Sequence, residues 1–99
     1  SLCVAVLHSG ATVAFARVIT DYTTFAYLCD VFVLPAHSNK GLAKAMLNYL
    51  HNHPQLQGLR RWLLFTKDAH TLYERFGWQN ITEEGAKRCM LIVNANIYP

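Results

Sequence analysis

Val31-Phe32-Val33-Leu34-Pro35-Ala36-His37-Ser38-Asn39-Lys40-Gly41-Leu42-Ala43-Lys44-Ala45-Met46 is the stretch on which the fold turns. Its first residues close a run from Thr23 to Leu34 that is rich in β-branched and aromatic side chains. That run reads as a central strand covered on both faces. Pro35 ends the strand, because proline has no N–H to give a ladder. From Gly41 the apolar period becomes helical, with Leu42, Ala45, Met46, Tyr49 and Leu50 on one stripe and Lys44 and Asn48 off it. A buried strand, a short loop with a glycine and a helix therefore follow one another. Such a junction can hold an anion, since the first N–H groups of a helix lack intrahelical partners and lie at the positive end of its dipole. Gly41 would let the backbone approach a phosphate, and His37, Lys40 and Lys44 stand close enough to add charge. The spacing alone is equally that of a tight turn with solvated lysines. It is neither a P-loop nor a dinucleotide fingerprint, because both glycine patterns are absent.

Outward from this stretch, Leu2 to Leu7 and Ala11 to Thr20 flank His8-Ser9-Gly10, which is the signature of a hairpin. Downstream, the helix stops near His51 to Pro54, and Leu59 to Thr66 reads as another buried strand. Asp68 is placed to cap a second helix carrying Ala69, Leu72, Tyr73 and Phe76, which Gly77 ends. Trp78 to Ile81 reads as a short strand, Thr82 to Lys87 as a polar turn around Gly85, and Arg88 to Asn94 as a last strand. The expected order is β-β-β-α-β-α-β-β, in one mixed α/β domain over residues 1–99.

Composition narrows the function. A chain of 99 residues with 53% hydrophobic and 15% charged content has room for one core, and 5 Gly with 3 Pro exclude collagen and disorder. The net charge of +3 permits an anionic ligand, but the basic residues are spread along the chain rather than gathered on a face, so nucleic acid is not expected. Cys3, Cys29 and Cys89 form no CxxC pair, which argues against a zinc site or disulfide framework and for reduced, buried thiols in a cytoplasmic protein. No apolar run approaches the roughly 18 residues of a membrane span. His51 and His53 are two apart and share no helix face, so no metal is expected there.

Residues 31–46 resemble the acyl-CoA-binding motif of the GNAT N-acyltransferases, V-x-V-x-P-x-x-R/Q-G-x-G-I/L-G/A. Thr66-Lys67-Asp68-Ala69-His70-Thr71-Leu72-Tyr73-Glu74-Arg75-Phe76-Gly77-Trp78 resembles the family's N-x-x-A-x-x-L/F-Y-x-x-x-G-F/W segment, in the expected order and after the expected strand. The resemblance covers nearly the whole chain. It implies a mixed, mostly antiparallel central sheet that splays at the cofactor cleft, with two main helices. It also implies acetyl-CoA as co-substrate, with no metal, and transfer of the acetyl group to a primary amine of a small molecule or peptide by direct attack on the thioester.

On this resemblance, backbone groups of Val31, Phe32 and Val33 would pair with the pantetheine arm. Ser38, Asn39, Lys40, Gly41, Leu42, Ala43 and Lys44 would hold the phosphates, and Thr66 and Ala69 would lie at the cofactor. Tyr73 aligns with the family's proton donor to the departing thiolate, although its place on the apolar stripe with Leu72 and Phe76 is also that of a packed core residue. Asp30 is the candidate to receive the amine proton, or else a hydrogen-bonded strand carboxylate. Three positions depart from the pattern: Ser38 stands for Arg or Gln, Asn39 for glycine and Thr66 for asparagine. Asn39 is expected to tolerate a left-handed turn. The family's N-terminal strand and two helices have no counterpart ahead of Ser1, so the chain is expected to be an N-terminally truncated domain or a shortened member, with uncovered apolar surface that favours a partner, a homodimer or poor solubility. A non-catalytic acyl-CoA-binding or regulatory module and a protein-interaction domain are the competing classes.

Overall fold

A computed structural model describes residues 1–94 and divides the chain into two compact units, Ser1–Ala69 and His70–Pro99. In the first unit, strands β1 (Leu2–His8), β2 (Ala11–Thr20) and β3 (Phe25–Val33) form an antiparallel meander, and β4 (Arg61–Leu63) adds to β3 in parallel. Helix α1 (Leu42–His51) makes the crossover between β3 and β4. The second unit holds α2 (His70–Glu74) and α3 (Glu83–Lys87). The mixed, mostly antiparallel sheet expected from the sequence is therefore present.

The expected hairpin forms with a two-residue loop. Ser9 (φ 52°) and Gly10 (φ 81°) both take positive φ, and His8 pairs with Ala11, the geometry whose twist matches that of the flanking strands. One face of the sheet carries Ala14, Ala16 and Val18 from β2 and Ala26 and Leu28 from β3, all buried. Helix α1 lies over β1, β2 and β3 and supplies Met46, Leu47 and Leu50. Three alanines on the sheet side leave room for these larger side chains.

The cysteines are not buried as expected: Cys3 and Cys89 are exposed and Cys29 is half-buried. β3 is covered on one face rather than two: Ala26 and Leu28 are buried, Tyr27 and Cys29 half-buried, and Asp30 and Phe32 exposed. Its apolar length reflects rings stacked on the open face, such as Phe15 on Phe32 at 5.9 Å. The buried stripe of α1 is rotated, with Leu47 inside and Tyr49 54% exposed, so the phenol keeps its hydroxyl in water. β4 is three residues long and half-buried, not an eight-residue buried strand. Neither Trp78–Ile81 nor Arg88–Asn94 is a strand among the described residues, and Glu83–Lys87 is a helix instead of a turn. Thr82 caps that helix by accepting from the Gly85 N–H at 2.9 Å, with Glu83 and Glu84 in the first turn, a local arrangement that outweighs the glycine. The apolar run 90–93 has strand propensity but finds no ladder, and propensity without pairing does not make a strand.

Candidate functional site

The β3–β4 ladder is short. Phe25, Ala26 and Tyr27 pair with Arg61, Trp62 and Leu63, and no pair follows, while β3 continues to Val33. From Leu28 onward β3 therefore runs without β4 beside it, and that edge offers its backbone donors and acceptors to something other than this sheet. Val31, Phe32 and Val33 lie on this stretch and lead directly into the loop before α1.

The loop is built from local bonds. The Leu34 N–H donates to the Val13 carbonyl at 2.8 Å, which ties the end of β3 to β2. Pro35–His37 makes one 3-10 turn, and the Ser38 hydroxyl donates back to the Pro35 carbonyl at 2.8 Å. Asn39 (φ 62°) and Gly41 (φ 75°) are both left-handed and flank exposed Lys40. Gly41 is the N-cap of α1 and offers no side-chain cap, so the first N–H groups of the helix, on Leu42, Ala43 and Lys44, are left for an outside acceptor. A Cβ built on Gly41 meets nothing within 4 Å, so no protein atom crowds that side of the loop. The His37 ring stands against His8 at 5.2 Å, which adds an imidazole from β1 beside the loop. An unpaired strand edge, a left-handed loop and a helix start with free donors fit a ligand with an amide-bearing arm and an anionic head, as acetyl-CoA has.

Asp30 is exposed at φ 53° on β3, and its carboxylate is paired with the guanidinium of Arg17 on β2. The Arg17 pKa is pushed up, first by a hydrogen bond with Cys29 and then by the charge of Asp30. Arg17 has no counterpart in the sequence reading. The available signal was a lone charge within the otherwise apolar Ala11–Ile19, and its partner is set by strand register rather than by spacing.

After β4, the Thr66 hydroxyl accepts from the Ala69 N–H at 3.1 Å, one residue ahead of α2. In the second unit, Tyr73 is 8% exposed, its ring meets Trp78 edge-on at 5.8 Å, and burial pushes its pKa up. Gly77 (φ 92°) closes α2 as expected: its N–H donates to Glu74 at 3.1 Å and the Trp78 N–H to Tyr73 at 3.2 Å, a Schellman pair. Among the described residues no three His, Cys, Asp or Glu side chains group to hold a metal, and no helix is long and apolar enough to cross a membrane.

The family model described as an acetyltransferase (GNAT) domain matches residues 1–80. A crystal structure from Xanthomonas campestris pv. campestris, assigned as a GNAT-family acetyltransferase, superposes with a TM-score of 0.90 at 47% identity, covering 98% of this chain and 67% of that one. A Gibberella zeae protein assigned as an acetyltransferase is 44% identical over 64 residues, which is 62% of this chain and 35% of that protein's length. The chain thus matches about a third of that fungal relative. A Clostridium acetobutylicum structure described as an acetyltransferase with acetyl-CoA shares the fold at a TM-score of 0.63 and 19% identity, covering 89% of this chain and 60% of that one.

Proposed function

Since the chain belongs to the GNAT acetyltransferase family, we propose that it moves an acetyl group from acetyl-CoA to a primary amine of a small molecule or, as a second acceptor class, a peptide. The observation that carries this reading is the departure of β3 from β4 after Tyr27, immediately ahead of the left-handed Asn39-Lys40-Gly41 loop. When bound, acetyl-CoA supplies an acyl carbon already activated as a thioester. Backbone groups of Val31, Phe32 and Val33 would align the pantetheine arm along the free edge. The amides from Ser38 to Lys44 face the pyrophosphate, with Lys40 and Lys44 screening its charge. Thr66 and Ala69 line the loop after β4.

Direct attack forms the nitrogen–carbon bond as the carbon–sulfur bond breaks, so one proton must leave the amine and one must reach the sulfur. Asp30 takes the first through a water, and the Tyr73 hydroxyl gives the second. Burial suits Tyr73 to the role, because a raised pKa keeps the phenol protonated through neutral and mildly alkaline pH.

A non-catalytic acyl-CoA-binding module is the second reading. It is favoured by Ser38, which stands where the family motif has Arg or Gln and whose hydroxyl is turned onto Pro35. Thiol release from acetyl-CoA with a panel of primary amines separates the two. Amine-dependent release that falls in Tyr73→Phe supports the enzyme, and cofactor binding without release under any amine supports the module.

A further inference from the structure

Asp30 takes a left-handed conformation within a strand without being glycine. Between the pairs Phe15↔Phe32 and Arg17↔Cys29, Asp30 and Val31 of β3 stand against the single residue Ala16 of β2, which is a β-bulge with its first residue at positive φ. Aspartate accepts that region more readily than most residues, yet the conformation still costs free energy and persists only where its surroundings enforce it. Arg17 is what the surroundings provide. It leaves β2 beside the bulge, pairs with the Asp30 carboxylate and lies next to Cys29, while its Nε is buried without a hydrogen bond among the described residues.

We propose that the Arg17–Asp30 pair clamps this bulge and so aims the unpaired edge of β3 at acyl-CoA, which makes Arg17 a positioning residue for cofactor binding. The inference rests on the acetyl-CoA reading above. The β4 ladder stops at Tyr27, three residues before Asp30, so the bulge sits where the free edge begins. One extra residue in a strand bends it and changes which backbone groups face outward for every residue that follows. Val31 and Val33 therefore present their donors and acceptors in a direction that the bulge decides. Both partners are about half exposed, at 43% and 54% of their side chains, and exposed ion pairs contribute little to global stability. The effect of the clamp is local.

The test is amide hydrogen exchange over residues 30–33, together with calorimetric titration of acetyl-CoA, in wild type, Arg17→Gln and Arg17→Lys. Arg17→Gln is expected to speed exchange at Val31 to Val33 while leaving the β1–β2 hairpin protected. It should also weaken acetyl-CoA binding about fivefold, the reach of one exposed charge pair. Arg17→Lys should restore most of both, and in turnover Arg17→Gln should raise the KM for acetyl-CoA. Asp30→Asn, which keeps a residue at ease in the left-handed region and removes the charge, should repeat the exchange shift if Arg17→Gln fails to fold. Unchanged exchange at Val31 to Val33, exchange raised throughout the sheet, or unchanged affinity would overturn the proposal. A wild type that does not bind acetyl-CoA overturns the acetyltransferase reading and the cofactor half of this one, whereas the exchange readout still decides the clamp.

Discussion

Replacing Gly41 with alanine separates a glycine that shapes a turn from a glycine that clears a path for a phosphate. At φ 75° an L residue is strained, and a single left-handed residue with a Cβ costs roughly 1–2 kcal/mol. No protein atom lies within 4 Å of the added Cβ, so no packing clash adds to that figure. A loss of about 1 kcal/mol corresponds to a drop in Tm of about 4–8 °C for a domain of this size. The Cβ would project into space that no protein atom occupies, and there it would meet the proposed phosphates. Acetyl-CoA affinity should therefore fall by at least about tenfold, some 1.4 kcal/mol beyond the folding penalty. Scanning calorimetry gives the first quantity and titration of the folded variant gives the second. A Tm drop of the stated size with unchanged affinity would refute the phosphate reasoning and leave Gly41 as a turn residue. A loss of affinity with unchanged Tm would refute the backbone reasoning.

Tyr73→Phe should lower kcat by about 10²–10⁴-fold, the range of a lost acid catalyst, with acetyl-CoA affinity within about twofold of wild type by titration. The raised Tyr73 pKa places the alkaline limb of the wild-type kcat profile above the ordinary phenol value near 10, and a limb well below it would assign the titration to another group. Leu50→Ala, at a fully buried side chain in the α1–sheet core, should cost about 2–5 kcal/mol in denaturant unfolding. Asp21 accepts from the Thr23, Thr24 and Phe25 N–H groups and from the Thr24 hydroxyl, and these bonds, the hydroxyl first, hold its carboxyl well below the usual range. A folded pKa below the unfolded one gives stability that is present above about pH 4 and lost as pH falls further. Asp21→Asn should therefore flatten the acid limb of the Tm profile, and an unchanged limb would show that the β2–β3 turn does not depend on this charge.

What was legible in the sequence is what local chemistry fixes. Ser9-Gly10 specified the hairpin because only residues at ease with positive φ close a two-residue loop, and Gly77 specified the end of α2 for the same reason. Pro35 and the change of period at Gly41 located the strand end and α1. The motif that places Val31 to Lys44 on one strand-loop-helix unit was also local, and the structure holds those residues on one unit. The rest depended on partners distant in the chain. Arg17 and Asp30 meet across 13 positions only because the β2–β3 register slips at a bulge, and no spacing rule announces that slip. The face of α1 that turns inward was ambiguous by one residue, because Leu47 and Tyr49 are both apolar enough to belong to a stripe and only the sheet beneath selects between them. Residues 88–94 have the composition of a strand, but strand formation is decided by a pairing edge and not by composition.

One titration of this chain with acetyl-CoA tests the cofactor site most directly. Saturable binding of one cofactor per chain, with a Kd below about 1 mM, is the predicted result. No heat of binding up to millimolar acetyl-CoA would contradict it, and with it the assignment of the β3 edge and the Ser38–Lys44 loop as the cofactor site.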